Sequence, residues 1–106
     1  MKKDSKLTIS ICFEEESIND LFSALLRSRG VKTRIISSFK DLDKTDIYSR
    51  IKVITEPQYA SQIPEELKHD CLVVGNKESL KGITGITLSR PLTEQKIETA
   101  IESLLN

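Results

Sequence analysis

The sequence predicts an α/β domain in which five parallel strands form the middle layer of a three-layer sandwich. Extended and helical patterns alternate along the 106 residues. Each strand with its connection takes about 20 residues, close to the minimum for a strand and a crossover. The strand-like runs are short and rich in β-branched residues, and two other segments repeat the apolar spacing of an amphipathic helix. This alternation favours parallel strands in one sheet, with helices on both of its faces.

The first unit consists of a strand over residues 7–13 and the clearest helical pattern in the chain. The apolar stripe of this helix contains Ile18, Leu21, Phe22, Leu25 and Leu26. Ser17 and Asp20 resemble a capping box that starts the helix. Gly30 suits the left-handed residue that follows many helix ends. Both ends of this helix are therefore predicted.

The second unit is less clearly specified. A strand over residues 31–37 leads into a polar segment, residues 38–50, that predicts only a short helix. The large apolar residues of that segment are Phe39, Leu42, Ile47 and Tyr48. A third, β-branched strand over residues 51–55 then stops at Glu56 and Pro57.

Two further strands and a second amphipathic helix complete the pattern. Pro57 and Pro64 leave room for only about one or two helical turns, after Pro64, before an apolar fourth strand over residues 71–75. A turn over residues 78–81, closed by Gly82, leads to a fifth strand within residues 83–88. The last helix, residues 93–105, starts at a Thr93 cap. Its apolar stripe contains Ile97, Ala100, Ile101, Leu104 and Leu105.

Composition limits the partners that we expect. The 16 Lys+Arg residues balance 16 Asp+Glu residues, so the chain lacks the net positive charge that supplies most non-specific affinity for nucleic acids or anionic membranes. No apolar run approaches the roughly 18 residues of a membrane-spanning helix, and the N-terminus does not begin like a signal peptide. We therefore expect a cytoplasmic protein with no direct nucleic-acid partner and no membrane contact. Residues 1–6 are interpreted as an N-terminal extension and residues 7–106 as one domain.

The residues that follow the strands give little support to an enzyme. Cys12 ends the first strand before a loop and a helix, as in the B components of sugar phosphotransferase systems and in small tyrosine phosphatases. Those loops need backbone amides and small residues around an anion, whereas Phe13 and three glutamates follow Cys12. No glycine-rich phosphate loop follows a predicted strand, and His69 is the single histidine. We expect no enzymatic activity and no cofactor, and we interpret Cys12 and Cys71 as buried structural thiols.

Acidic residues gather at the carboxyl ends of the predicted strands, where parallel sheets of this kind place their sites. Glu14, Glu15 and Glu16 follow the first strand, and Glu56 follows the third. Carboxylates held together bind a hard cation such as Mg²⁺, or they raise one another's pKa. Alternatively, the three consecutive glutamates only stabilise the positive end of the first helix. The sequence leaves both interpretations open.

The stretch Ser89-Arg90-Pro91-Leu92-Thr93, which leads into the last helix, is the most distinctive motif of the chain. With the order of elements and the acidic residues after the first strand, it resembles the receiver domain of bacterial response regulators over residues 7–105. The resemblance implies a flavodoxin-like, receiver-like fold with strand order 2-1-3-4-5. In that order the first and fourth strands are about 9.6 Å apart, so Cys12 and Cys71 are expected to be too distant for a disulfide.

The resemblance also implies a metal site at the start of the first helix. Receiver domains hold Mg²⁺ with an acidic pair after the first strand. In this chain that place is occupied by Glu14 and Glu15, or by Phe13 and Glu14 if the register differs by one residue. We expect no dedicated metal site, and at most weak Mg²⁺ binding at Glu14 and Glu15.

The other positions of the implied phospho-site depart from the family pattern. The phospho-accepting Asp that ends the third strand is replaced by Thr55-Glu56, and the Ser/Thr after the fourth strand by Gly75. Arg90-Pro91 stands where the family has Lys-Pro, and Arg90 is expected to lie close enough to Glu56 to pair with it. A Glu carboxylate is one methylene longer than that of Asp, which exceeds the tolerance of about 0.5 Å of a preorganised site. Ordinary phosphoryl transfer is therefore not expected.

The resemblance implies a degenerate receiver domain, a protein-interaction module of two-component signal transduction without the usual phospho-acceptor. Its expected partner is a protein, either a histidine kinase or another signalling domain. The surface by which receivers contact partners corresponds here to Glu78, Leu80, Leu88, Arg90, Glu94 and Lys96. Two alternatives stay open: a working receiver with a non-standard acidic site, and a receiver-like linker module of a larger hybrid sensor kinase. The oligomeric state is not predicted.

Overall fold

Five parallel strands form one sheet in the computed structural model, which describes residues 7–41 and 51–106. The strands are β1 (Thr8–Cys12), β2 (Lys32–Ile35), β3 (Ile51–Thr55), β4 (Cys71–Gly75) and β5 (Ile86–Ser89). Their order in the sheet is β2-β1-β3-β4-β5, and each neighbouring pair is parallel. The predicted fold class and strand order are therefore confirmed.

Helical elements cover both faces of the sheet, but unequally. The α-helices are α1 (Glu16–Arg27), α2 (Pro57–Ala60) and α3 (Glu94–Leu105), and 3₁₀ turns are formed by Phe39–Asp41, Glu65–Leu67 and Lys77–Leu80. The two long helices, α1 and α3, pack on one face, and the short elements pack on the other. Among the described residues, the two long helices therefore protect one face, while short helical turns protect the other.

Alternation of side chains along the strands divides the buried residues into two cores, as the twofold periodicity of a strand requires. On β4, Leu72 and Val74 face α1 and α3, whereas Cys71 and Val73 face the short turns. The core under the long helices contains Ile9, Ile11, Phe13, Phe22, Leu26, Ile54, Leu72, Val74, Leu88, Ile97, Ala100, Ile101 and Leu104. Cys12 and Cys71 are buried and form no disulfide with each other, as predicted.

Helix α1 differs from its predicted start and from its predicted buried stripe. Glu15 is the residue that precedes the first turn, and no side chain caps the helix with a hydrogen bond. The predicted capping box is therefore wrong, because Ser17 lies inside the first turn and its hydroxyl donates to Glu15 Oε2 at 3.2 Å. Leu21 is 40% exposed and lies at the rim of the buried stripe. Gly30 has the predicted positive φ, 77°.

The second half of the chain follows the predicted order with two differences. Helix α2 begins at Pro57, whereas the sequence analysis placed helical turns only after Pro64. Proline is favoured at this first helical position because the N–H that it lacks has no partner within a helix there. Strand β5 ends at Ser89, one residue beyond its predicted end. The turn that Gly82 closes, at a φ of 83°, is formed as predicted.

Two predictions lie outside the described residues. The N-terminal extension, residues 1–6, is one of them. The other is the later part of the weakly specified helix, with Leu42, Ile47 and Tyr48, of which only the turn at Phe39–Asp41 is described.

Helix α3 starts at the predicted Thr93 cap, whose hydroxyl oxygen accepts a hydrogen bond from the Lys96 N–H at 3.2 Å. We expect Thr93→Ala to lower the free energy of unfolding by about 1 kcal/mol, because this N–H loses its partner. Urea denaturation would measure the change. The exposed Thr99, inside the same helix, gives the matched control: Thr99→Ala should leave the stability equal or slightly higher, since alanine is the better helix former. Equal effects of the two substitutions would contradict the capping role.

Candidate functional site at the carboxyl end of the sheet

The loops that follow β1 and β3 meet at the carboxyl end of the sheet. These strands are neighbours, and Cys12 at the end of β1 is paired with Thr55 at the end of β3. The Glu14 backbone N–H donates a hydrogen bond to Glu56 Oε2 at 2.6 Å. The Glu56 carboxylate therefore joins the two loops directly.

Gln58, the second residue of α2, links the same two glutamates through its side chain. Its Nε2 donates to Glu14 Oε1 at 3.2 Å and to Glu56 Oε2 at 3.1 Å. The carboxamide thus supplies N–H donors to both carboxylates, which reduces the repulsion between them. From the described residues, Glu56 Oε2 accepts two hydrogen bonds, one from each loop.

Thr55 occupies the last position of β3 and faces inward. The residue is fully buried, and its hydroxyl donates to the Cys12 carbonyl oxygen at 2.6 Å. A threonine in this place satisfies a backbone acceptor at the end of the neighbouring strand. Its hydroxyl is therefore engaged within the sheet.

Pro57 fills the space beside Gly75, the last residue of β4. A Cβ atom on Gly75 would lie 2.7 Å from Pro57 Cγ and 2.8 Å from Pro57 Cδ. Carbon atoms pack at about 3.5–4.0 Å, so no side chain fits at this position unless the proline ring moves. The place that the family resemblance gives to a Ser/Thr hydroxyl is taken up by the proline ring.

The expected pair between Glu56 and Arg90 is not formed. In the described part of the chain the Arg90 guanidinium has no carboxylate within salt-bridge distance, and the Arg90 backbone N–H donates to the Gly75 carbonyl at 3.0 Å. Arg90 follows β5, which lies two strand spacings, about 9.6 Å, from β3. The sheet therefore separates the two charges, while Glu56 turns toward Glu14 and Gln58.

Lys96 of α3 supplies the ammonium that holds the loop after β5. Its Nζ donates to the Ser89 carbonyl at 2.6 Å and to the Pro91 carbonyl at 3.0 Å. The peptide bond between Arg90 and Pro91 is cis. The two carbonyl contacts of Lys96 tie this loop to the first turn of the last helix.

A buried asparagine on α1 holds the loop after β1 through two hydrogen bonds, a contact that we call the brace. Asn19 Oδ1 accepts from the Phe13 N–H at 2.9 Å, and Asn19 Nδ2 donates to the Phe13 carbonyl at 3.0 Å. The Phe13 ring is buried and stacks on the Phe22 ring, with centroids 5.5 Å apart. The Phe13 ring therefore packs in the core under the long helices. The brace also fixes the backbone from which the Glu14 N–H points to Glu56.

The two residues proposed for weak Mg²⁺ binding have different neighbours. Glu14 Oε1 accepts from Gln58, whereas Glu15 Oε2 accepts from the Ser17 hydroxyl at the start of α1. Across residues 7–41 and 51–106, no three side chains of His, Cys, Asp or Glu come together as metal ligands would. The geometry pairs Glu14 with Glu56 rather than with Glu15.

The expected partner surface is partly buried. Leu80 is 9% exposed and packs with the core under the short turns, and Leu88 is 5% exposed and packs under α3. The prediction that they line an exposed face is wrong, because β5 turns Leu88 inward and the turn at Lys77–Leu80 folds Leu80 onto the sheet. Glu78, Arg90 and Glu94 are exposed.

Two of the described side chains have raised pKa values: Tyr59, which lies at this end of the sheet, and Cys71, which begins β4 at the opposite end. Partial burial, the Cys12 thiol and the carboxylates of Glu14 and Glu56 raise the pKa of the Tyr59 phenol. Burial, together with the Asp70 carboxylate, raises the pKa of the Cys71 thiol above its ordinary value of 9.0. In the folded chain Cys71 therefore keeps its proton at a pH at which the unfolded chain has lost it.

This difference predicts a loss of stability at alkaline pH. A raised folded-state pKa contributes stability that is complete below the unfolded pKa and disappears as the pH rises through the folded pKa. We expect the free energy of unfolding to fall as the pH rises above about 8.5, the pKa of a thiol in an unfolded chain. In Cys71→Ala the fall should be shallower. Urea denaturation at several pH values would measure both curves, and parallel curves would show that Cys71 contributes nothing to the dependence.

Several residues that build this site were not predicted from the sequence. Pro57 and Gln58 looked like a break after β3, although a proline at the start of a short helix is a recognisable signal. The position of Asn19 could have been recognised as well, since it is a polar residue next to the apolar stripe of α1, three positions before Phe22. No spacing in the sequence indicates that Lys96 contacts the carbonyl groups of the loop after β5.

The fold is similar to that of a known regulatory domain. Over 96% of this chain and 100% of the other, it matches the N-terminal domain of the nisin resistance regulator NsrR, a lantibiotic response regulator, with a TM-score of 0.68 at 13% sequence identity. No family model matches the sequence, and no curated protein matches it. The similarity shows a receiver-like, flavodoxin-like fold. Among the helices of the described ranges, none has the length and apolar character needed to cross a membrane.

Proposed function

We propose that this chain is a protein-interaction module of two-component signal transduction, acting in the cytoplasm, whose receiver-like fold no longer accepts a phosphoryl group. The similarity to a response-regulator domain supports the signalling role at the level of the fold. The replaced residues at the carboxyl end of the sheet support the loss of phosphoryl transfer. On this proposal the chain has no enzymatic activity of its own.

The strongest support for the proposal is the hydrogen bonding of the Glu56 carboxylate. Glu56 stands next to the position of the family's phospho-accepting Asp, and its Oε2 accepts hydrogen bonds from the Glu14 N–H and from Gln58. An attacking carboxylate oxygen needs a free lone pair directed at the phosphorus atom. Hydrogen bonds at 2.6 and 3.1 Å engage the lone pairs of Oε2 and fix the carboxylate between the two loops, so that Oε1 alone could attack, from a side chain one methylene longer than Asp. The carboxylate acts as a structural clamp between two loops.

The position that would follow a phosphoryl group supports the same conclusion. Gly75 carries no hydroxyl, and the Pro57 ring occupies the space where a side chain would lie. Arg90 is exposed and forms no salt bridge with Glu56. In the part of the chain that the structure describes, Gly75 supplies no hydroxyl and no cation forms a salt bridge with Glu56, which supports the proposed loss of phosphoryl binding.

The proposed partner is a histidine kinase or another signalling domain. Glu78, Arg90 and Glu94 remain exposed near the carboxyl end of the β5 edge and supply both signs of charge. Charged rim residues of this kind set orientation and association rate more than affinity. These three residues are therefore the part of the expected partner surface that is retained in the proposal.

Acetyl phosphate with Mg²⁺ provides the test of the lost transfer. We expect the intact mass of the protein to show no added phosphoryl group under conditions in which a receiver domain with the usual Asp becomes labelled. Glu56→Gln is the matched variant, because it keeps the size of the side chain and removes the nucleophilic carboxylate. A phosphoryl adduct on the native chain that Glu56→Gln abolishes would establish the alternative, a working receiver with a non-standard acidic site.

A further inference from the structure

An open groove lies along the edge of the sheet opposite to β5, between α1 and the edge strand β2. Its volume is about 610 Å³. Arg27 and Lys32 contribute two exposed cations to its lining, and among the described residues that line it there is no Asp or Glu. The groove therefore carries positive charge on a chain whose net charge is zero.

The floor of the groove combines polar and apolar groups. The hydroxyl groups of Ser23 and Thr33 lie 3.0 Å apart, in hydrogen-bond contact, and both residues line the groove. Ile35 lines it as well and is 47% exposed, which is unusual for an isoleucine. An occupant would thus meet two cations, a hydroxyl pair and the apolar side chains of Val31 and Ile35.

Strand β2 also offers backbone hydrogen-bonding groups on this side. Within the described residues β2 pairs with β1 alone, and the Ile36 N–H donates to the Ile11 carbonyl of β1 at 2.9 Å. Successive residues of a strand direct their N–H and C=O groups to opposite sides. Thr33 and Ile35 therefore direct theirs away from β1, toward the side on which no other described strand lies. Three residues of β2 line the groove, and two of them, Thr33 and Ile35, also present backbone groups on that side.

We infer that this groove binds an extended acidic segment of a protein partner, which adds to the sheet as a further strand beside β2. Acidic side chains of the segment pair with Arg27 and Lys32, an apolar side chain covers Ile35, and the backbone pairs with Thr33 and Ile35. The inference names the chemistry of one partner and so rests on the proposed interaction module. The groove is remote from Glu56 in the strand order, so its occupancy is measured independently of phosphoryl transfer.

A competing explanation is that the charges only protect the edge. Short edge strands that carry lysine or arginine resist pairing with other chains. Under that explanation Arg27 and Lys32 would repel or ignore every strand, including an acidic one. The two explanations differ in what they predict for a strand of complementary charge.

The test is a titration of the ¹⁵N-labelled chain with the blocked peptide EVEIEVE, followed by NMR. We expect the amide signals of Thr33 and Ile35 to shift progressively and those of Glu78 and Arg90 to stay in place. The variant with both Arg27→Gln and Lys32→Gln should bind at least about tenfold more weakly. The matched control carries Lys77→Gln and Lys81→Gln, exposed lysines outside the groove, and should bind like the native chain.

Three outcomes would overturn the inference. One is the absence of shifts up to roughly 1 mM peptide, which would leave edge protection as the role of the charges. Another is equal binding of the basic peptide KVKIKVK, or of the variant that lacks both groove cations. The third is a stronger response of the same amides to a short oligothymidine, which would make the groove a nucleic-acid site. None of these outcomes alters the expected result with acetyl phosphate, so the two proposals fail separately.

Discussion

Asn19→Ala is expected to lower the free energy of unfolding by about 2–4 kcal/mol. Asn19 is 6% exposed, and its carboxamide satisfies both the N–H and the C=O of Phe13. Removing it leaves two buried backbone groups without a partner, and each such group costs about 1–3 kcal/mol. The loss should also reach the site, since Phe13 precedes the N–H that donates to Glu56. Urea denaturation measures the stability, and the amide signal of Glu14 reports the change in the loop.

Two further variants make this prediction specific. Asn19→Asp keeps the acceptor for the Phe13 N–H but places a buried carboxylate oxygen against the Phe13 carbonyl, so it should also destabilise the chain. Ser103→Ala replaces an exposed residue of α3 and should change the stability by less than about 0.5 kcal/mol. If Asn19→Ala were as mild as Ser103→Ala, the brace would not stabilise the loop.

Gly75→Ser is expected to destabilise the chain by about 1–3 kcal/mol, the usual effect of adding atoms to a filled space. The new Cβ would start 2.7 Å from Pro57 Cγ, and a proline ring has little freedom to move aside. The substitution restores the hydroxyl-bearing residue that receiver domains carry at this place. Yet it should not restore phosphoryl transfer, because the Glu56 carboxylate remains hydrogen-bonded to both loops.

A double-mutant cycle with Pro57→Ala isolates the contact. In the Pro57→Ala background the cost of Gly75→Ser should shrink, because the ring atoms that crowd the new side chain are absent. Additive losses would indicate that the serine is destabilising for another reason, such as its buried hydroxyl. Stability measured by urea denaturation for the four proteins distinguishes these results.

Much of the fold was predictable because burial imposes strong sequence patterns. The bounds of β3 and β4 coincide with the predicted ones, since Ile51 to Thr55 and Cys71 to Gly75 are apolar runs with clear breaks after them. The Thr93 cap and the left-handed Gly30 were also predicted, because each follows from the local geometry of a helix end. Patterns of this kind depend on neighbours in the sequence.

The site was less predictable, because its contacts join residues distant in sequence. The sequence placed Glu56 and Arg90 at the same end of the sheet, but the distance across β4 and the competing donors on Glu56 decide that they do not pair. Pro57 and Gly75 meet only after β3 and β4 are aligned in register. The burial of Leu80 and Leu88 likewise depends on how one short turn and one edge strand pack on the two cores.

Beryllofluoride, an analogue of a bound phosphoryl group, tests most directly whether the phospho-site is inactive. Its complex with an acceptor carboxylate and Mg²⁺ would change the environment of the amides of Glu14, Glu56, Gly75 and Arg90. We predict that the ¹H–¹⁵N NMR spectrum with beryllofluoride and Mg²⁺ is the same as with fluoride and Mg²⁺ alone. Saturable shifts of these four amides that require beryllofluoride, and that Glu56→Gln abolishes, would contradict the proposed loss of phosphoryl transfer.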